Sequence, residues 1–139
     1  MSFSSATLAL LFLCCGCGEA SKPWDKVYPV SGVVTHKGKP IKDAELTLFP
    51  VDDKVPEAVR PWAKSSENGE FSLSTYDRGD GAPPGKYKAS IVHHEIVVSA
   101  GAMGTKPNDL PKKYASRETT DWIIEVKEGE TKLPTFDLK

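Results

Sequence analysis

The sequence predicts an all-β domain: a sandwich of two antiparallel sheets with about seven short strands. Three observations lead to this prediction. Several short segments alternate apolar and polar residues, which places every second side chain on one face of a strand. The 11 glycines and 11 prolines of the 139-residue chain divide these segments with turns. No long segment has the apolar spacing of a helix.

The clearest alternation lies on either side of a glycine- and proline-rich loop. Phe71 and Leu73 alternate with polar residues over 69–76, and apolar residues alternate again over 86–92. The intervening residues 77–85 contain three glycines and two prolines, so they cannot continue a strand. We therefore expect two strands of one antiparallel sheet joined by this loop.

The remaining strands are predicted from the same pattern. Residues 28–35 are expected to pair as a hairpin with residues 44–50, through a turn at 36–40 in which Gly38 takes a positive φ. A second hairpin is expected to join residues 62–66, through the Asn-Gly turn at 67–69, to the strand that contains Phe71. Residues 93–99 either continue a strand or begin a loop, and 100–108 are expected to be irregular. Residues 110–114 predict a turn or a single helical turn, and 122–126 and 135–138 predict the last strands. The predicted core comprises Val30, Val34, Leu46, Leu48, Phe71, Leu73, Tyr87, Ile91, Trp122, Ile124, Phe136 and Leu138.

The first 18 residues differ from the rest of the chain because they contain no charged side chain. Residues 6–13 are an apolar run, far shorter than the about 20 residues that span a bilayer as a helix, but of the length found in signal peptides. All three cysteines, Cys14, Cys15 and Cys17, follow this run directly. A disulfide framework would spread its cysteines through the domain. Zinc or redox chemistry at Cys14 and Cys17 would need a second ligand pair or a βαβ unit, and a c-type haem site would need histidine at Gly18.

The cysteine segment instead resembles a bacterial lipobox, in which small Gly16 precedes a cysteine whose thiol receives a diacylglycerol. We therefore predict a lipoprotein signal peptide over residues 1–16, lipidated Cys17 with a flexible polar tether over 17–27, and a folded domain over 28–139. Cys15 is the alternative acceptor, and an ordinary secretory signal is the alternative to a lipid anchor. Lipidation would hold the protein on the cell membrane or outer membrane, facing the periplasm or exterior.

The strand and turn residues also resemble a known family. Residues 30–34, 38–41 and 44–50 are similar to the opening of a carboxypeptidase regulatory-like, or transthyretin-like, domain. Residues 69–76, 79–87, 110–114 and 136–138 resemble small lipoproteins of planctomycete bacteria. The resemblance covers residues 30–139 and implies a prealbumin-like or Ig-like sandwich on an exported lipoprotein, without catalytic activity.

Few residues form a pattern typical of a reactive site. His93, His94 and Glu95 are adjacent, but on a strand only His93 and Glu95 share a face, so we interpret them as a polar strand end. A metal-assisted hydrolase using His93 and Glu95 is the weaker alternative. Asp77 and Asp80 are too few carboxylates for a typical calcium loop. They are better explained as turn residues, and so is the adhesion-like tripeptide Arg78-Gly79-Asp80.

These observations predict a non-enzymatic module of the cell envelope with no cofactor and no metal site. There is no nucleophile elbow and no glycine-rich phosphate loop. The net charge of -1 argues against nucleic-acid binding. The expected partners are the membrane, through the lipid anchor, and an envelope protein or glycan. Trp24 and Trp62 make a carbohydrate-binding module the alternative function.

Overall fold

A computed structural model describes residues 21–139 and confirms the predicted all-β sandwich. Its strands are β1 Val30–His36, β2 Lys39–Pro40, β3 Glu45–Pro50, β4 Trp62–Lys64, β5 Glu70–Ser72, β6 Gly85–Val92, β7 Ile96–Ser99, β8 Ala102–Thr105, β9 Ile123–Val126, β10 Thr131–Lys132 and β11 Phe136–Leu138. The described part therefore has eleven strands. The sequence predicts about seven because pieces of two to four residues carry too little alternation to be recognised.

One sheet is organised around β1, whose two edges are each shared by two short strands. On the first edge, β10 pairs with Val30 and Ser31, and β11 pairs with Val34 to His36, both in parallel. On the second edge, β5 and β2 pair with β1 in the antiparallel direction. The parallel pairs depart from the predicted antiparallel arrangement. They arise because the end of the chain returns to β1 from the opposite sheet.

The other sheet has the order β4-β3-β6-β9 and is antiparallel throughout. β3 and β6 form its centre, with register pairs that run from Glu45↔Val92 to Pro50↔Tyr87. Alternation along these strands directs Leu46, Leu48 and Ile91 into the space between the sheets, where all three are buried.

The predicted core is confirmed, because eleven of its twelve residues are buried. The twelfth, Phe136, is half-buried and packs against the core, where its ring stacks on Trp122 with centroids 3.7 Å apart. Each fully buried large side chain contributes about 1.5–3 kcal/mol to the stability of the fold. A 3-10 turn at Lys112–Tyr114 lies beside this core. Leu110, two residues before the turn, and Tyr114, its last residue, are both buried in the core. The helical turn predicted near residues 110–114 is therefore confirmed.

The predicted hairpin between residues 28–35 and 44–50 is wrong. Lys37 and Gly38 form the predicted tight turn, with φ of 52° and 77°, but the chain returns beside β1 only as the two-residue β2. It then crosses to the other sheet, where β3 begins. Ser65 stabilises this crossing: its buried hydroxyl accepts a hydrogen bond from the Ala44 N–H at 2.9 Å and donates one to the Ile41 carbonyl at 2.5 Å.

Two further predicted pairings are separated between the sheets. β4 belongs to the four-stranded sheet and β5 to the sheet around β1, so they form no continuous ladder. Of the predicted hairpin, the Asn-Gly turn is present, with hydrogen bonds from the Ser66 N–H to the Glu70 carbonyl and from the Gly69 N–H to the Ser66 carbonyl, and so is the bridge Trp62↔Ser74. β5 and β6 also lie in different sheets, so the loop 77–85 crosses the edge of the sandwich rather than closing a hairpin. Period-two alternation identifies the buried face of a strand but not its neighbour.

A separate two-stranded sheet follows β6. β7 and β8 pair in the antiparallel direction around a turn at Ala100 and Gly101, which have φ of 52° and 81°. The prediction that residues 100–108 are irregular is therefore wrong for β8. Ile96 and Met103 on this hairpin are 59% and 76% exposed.

The described segment before β1 contains a short helical turn. A 3-10 turn at Pro23–Asp25 lies inside the segment expected to be a flexible tether, and Trp24 packs against the core. The predicted signal peptide and Cys14 to Cys17 lie outside the described residues. Among residues 21–139, no helix has the length and hydrophobicity needed to cross a bilayer.

Candidate functional site

A groove of about 700 Å³ lies where β4 and β5 diverge into their separate sheets. Two aromatic side chains line it, Trp62 on β4 and Tyr76 after β5, and they are 52% and 53% exposed. The polar lining consists of Lys64, Ser66, Glu70, Ser72, Ser74, Thr75, Asp77 and Arg78. Hydroxyl groups and charges of both signs therefore surround two exposed aromatic rings.

Trp62 faces solvent because of its position on an edge strand. Ala63, the next residue, is buried in the core, so alternation directs Trp62 and Lys64 outward. The backbone of Trp62 is held by two hydrogen bonds with Ser74, at 2.9 Å and 2.8 Å. The indole thus projects from a fixed main chain.

Tyr76 is held through its hydroxyl group. The Tyr76 Oη donates a hydrogen bond to the Trp24 carbonyl at 2.8 Å, which connects the groove to the segment before β1. Burial is the main cause that raises the pKa of Tyr76 above its usual value, with smaller contributions from Asp25 and Asp80. The phenol therefore remains protonated, and a donor, at neutral pH.

Asp80 orders the loop that forms one wall of the groove. Its carboxylate accepts hydrogen bonds from the N–H groups of Thr75 at 2.7 Å, Tyr76 at 2.9 Å and Asp77 at 2.9 Å. Burial raises the pKa of Asp80, but these backbone hydrogen bonds outweigh that effect, and the pKa lies below its ordinary value. The turn-forming role predicted for Asp80 is confirmed, since both carboxylate oxygens are bonded to amides of the loop.

The same loop also fastens the segment before β1. Tyr28 and Ala82 exchange two backbone hydrogen bonds of 3.0 Å each. Gly81, with φ of 104°, lies so close to this pair that a Cβ atom would stand 1.8 Å from the Tyr28 carbonyl oxygen. Only glycine fits at position 81, and through this contact the groove wall and the N-terminal segment form one unit.

The histidine cluster does not converge on one point. His93 Nδ1 lies 2.8 Å from Asp109 Oδ1, and His94 Nδ1 lies 3.2 Å from the Lys106 carbonyl. Glu95 forms an ion pair with Lys106 at 2.7 Å. Within residues 21–139, no three His, Cys, Asp or Glu side chains are placed to share a metal ion.

The sequence singled out part of the groove. Trp62 was a candidate because an exposed tryptophan is a frequent contact residue, whereas the other candidate, Trp24, is half-buried against the core. Tyr76 and the loop-ordering role of Asp80 became visible only with the fold. The sequence feature that indicates these two roles is Tyr76 at a strand end, followed by Asp80 in a glycine-rich loop.

Comparison with known proteins leaves the family open. No protein-family model and no curated protein match the chain. Among solved structures, it is similar to a 9R-lipoxygenase from Cyanothece, with 14% identity and a TM-score of 0.43, over 97% of this chain and 18% of the lipoxygenase. It is also similar to a candidate carbohydrate-binding protein from Pseudomonas aeruginosa, with 16% identity and a TM-score of 0.45, over 84% of this chain and 92% of that protein. The class of the protein, a two-sheet β-sandwich, follows from its own strand pairing.

Proposed function

We propose that the protein is an exported, lipid-anchored component of the cell envelope whose β-sandwich is a binding or structural module rather than an enzyme. The observation that carries the proposal is the distribution of cysteine. All three cysteines directly follow the apolar run, and the folded domain has none. The similarity of the strand and turn residues to planctomycete lipoproteins with a carboxypeptidase regulatory-like domain agrees with this role.

The anchor would lie close to the domain. Three residues lie between Cys17 and Ser21, where the described chain begins, so the Cα atoms of Cys17 and Ser21 are at most about 14 Å apart. Packing of Trp24 on the core leaves little further slack. A diacylated Cys17 would therefore keep the sandwich beside the cell membrane or outer membrane, because two acyl chains hold a protein stably at a bilayer.

Labelling and fractionation of cells that express the chain test this proposal. Labelled fatty acid should enter the wild-type protein, and the protein should remain with membranes after a high-salt wash. Cys17→Ser should abolish both properties, whereas Cys15→Ser should leave them unchanged. A Cys17→Ser protein that still takes up label and stays on membranes would contradict lipidation at Cys17.

The expected partners of the module are an envelope protein or a glycan. Half-exposed Trp62, held on a fixed strand beside several hydroxyl groups, favours the glycan. Carbohydrate binding is accordingly the second function that we propose for the domain.

A further inference from the structure

We propose that the groove where β4 and β5 diverge is the ligand site and that it binds a neutral oligosaccharide, with Trp62 and Tyr76 as the stacking surfaces. The inference rests on the proposed role as a binding module, but it does not require the lipid anchor. The groove, at about 700 Å³, is within the range of about 300–1,000 Å³ that is typical of small-ligand sites.

The first argument is the presence of two exposed rings on neighbouring segments. Trp62 pairs with Ser74, and Tyr76 follows Ser74 by two residues, so both rings project from adjacent backbone. Both line the groove, where they are 52% and 53% exposed. Sugar rings present a face of C–H groups, which packs against aromatic rings, while their hydroxyl groups need hydrogen-bond partners around the edge.

The second argument is the supply of such partners. Ser66 and Ser72 are exposed and have only small side chains, so they leave room beside the rings. Serine hydroxyls both donate and accept hydrogen bonds, as sugar hydroxyls do. An apolar peptide would leave these groups unpaired, which disfavours it relative to a sugar.

The third argument concerns charge. Lys64 and Arg78 line the groove, and so do Glu70 and Asp77, so the positive and negative side chains balance. Lys64 is further compensated by Asp43, whose carboxylate oxygen lies 3.6 Å from the Lys64 Nζ. An acidic polysaccharide would gain little net attraction, which makes a neutral sugar the better fit.

The fourth argument is that the aromatic surfaces exist before binding. The main chain of Trp62 is bonded to Ser74, and the Tyr76 hydroxyl is bonded to the Trp24 carbonyl. The Asp80 carboxylate fixes the amides of the loop. A site ordered in advance loses less conformational entropy when it binds.

The test is calorimetric titration of the full chain, purified in detergent, with tetrasaccharides of cellulose, chitin, β-1,3-glucan and mannan, and with tetragalacturonate as the acidic probe. At least one neutral tetrasaccharide should bind, and Trp62→Ala and Tyr76→Ala should each weaken it by about tenfold or more. Trp62→Phe should retain most of the binding. Ile123→Ala, which removes an exposed apolar side chain from β9, should retain all of it.

Each contrary result would overturn the inference. No binding of any neutral sugar, binding of tetragalacturonate alone, or equal affinity for wild type and Trp62→Ala would each contradict a neutral-glycan site in this groove. If no sugar binds but an envelope protein binds in a way that depends on Trp62, the glycan proposal would be wrong. The proposed role as a binding module would still hold. The result is separate from lipidation, which the fatty-acid label measures independently.

Discussion

Substitution of Ser65 by alanine tests how the chain changes sheets between β2 and β3. The wild-type hydroxyl is buried and is bonded both to the Ala44 N–H and to the Ile41 carbonyl. Alanine would leave both backbone groups without a partner, because a methyl group cannot form hydrogen bonds. An unsatisfied buried group costs about 1–3 kcal/mol, so we expect Ser65→Ala to lower the free energy of unfolding by about 2–4 kcal/mol.

Urea unfolding followed by far-ultraviolet circular dichroism measures this change. With a slope of about 1–2 kcal/mol per M for a small domain, the midpoint should fall by about 1–4 M while the slope stays constant. Ser66→Ala is the matched control, since Ser66 is exposed and adjacent, and it should change stability by less than about 0.5 kcal/mol. If both variants unfold at the same urea concentration, the Ser65 hydroxyl does not stabilise the crossing.

Three further predictions concern the loop 77–85 and Tyr87, a buried residue of β6. Gly81→Ala should be much more destabilising than Gly79→Ala. Both glycines have positive φ, but only at position 81 would a Cβ atom meet backbone atoms. Equal decreases in the thermal unfolding midpoint of the two variants would contradict the close contact. Asp80→Asn should destabilise the domain at neutral pH. The pKa of Asp80 is lower in the folded state than its ordinary value of about 3.9, so the charged carboxylate stabilises the fold above that ordinary value. This stabilisation is lost as the pH falls through the lower pKa of the folded state. Unfolding midpoints of wild type and Asp80→Asn should therefore converge in acid, and a constant difference down to pH 2 would refute the assignment. Tyr87→Phe should lower stability by about 1–2 kcal/mol in urea unfolding, because the buried hydroxyl donates to the Pro83 carbonyl at 2.7 Å, and an unchanged midpoint would show that this bond contributes nothing.

Alternation in the sequence was enough to predict which side chains are buried. Leu46 and Leu48 point inward because a strand places every second residue on one face, whichever strand lies beside it. The same local rule explains why Trp62 is exposed beside buried Ala63.

The neighbours of each strand could not be predicted in the same way. A hairpin between residues 28–35 and 44–50 satisfies the alternation as well as the observed crossing does. The difference depends on long-range contacts, such as the Ser65 hydroxyl bonded to the Ile41 carbonyl. The parallel pairing of β10 and β11 with β1 likewise depends on how the chain returns across the sandwich.

The candidate groove was only partly visible in the sequence for a related reason. Its walls are formed by β4 and β5, which diverge because they belong to different sheets. Alternation in the sequence predicts that β4 and β5 pair as a continuous hairpin, and such a hairpin would leave no groove between them. Tyr76 and Asp80 acquire their roles only through the Trp24 carbonyl and the loop amides that they contact.

The mass of the N-terminal peptide of the mature protein tests the central proposal most directly. Protein extracted with detergent from the membranes of expressing cells should yield, after proteolysis, a peptide that begins at Cys17 and carries the added mass of a diacylglyceryl group. A peptide without the lipid mass, whether it retains the residues before the cysteines, begins at one of them or begins further along the chain, would contradict a lipid-anchored protein.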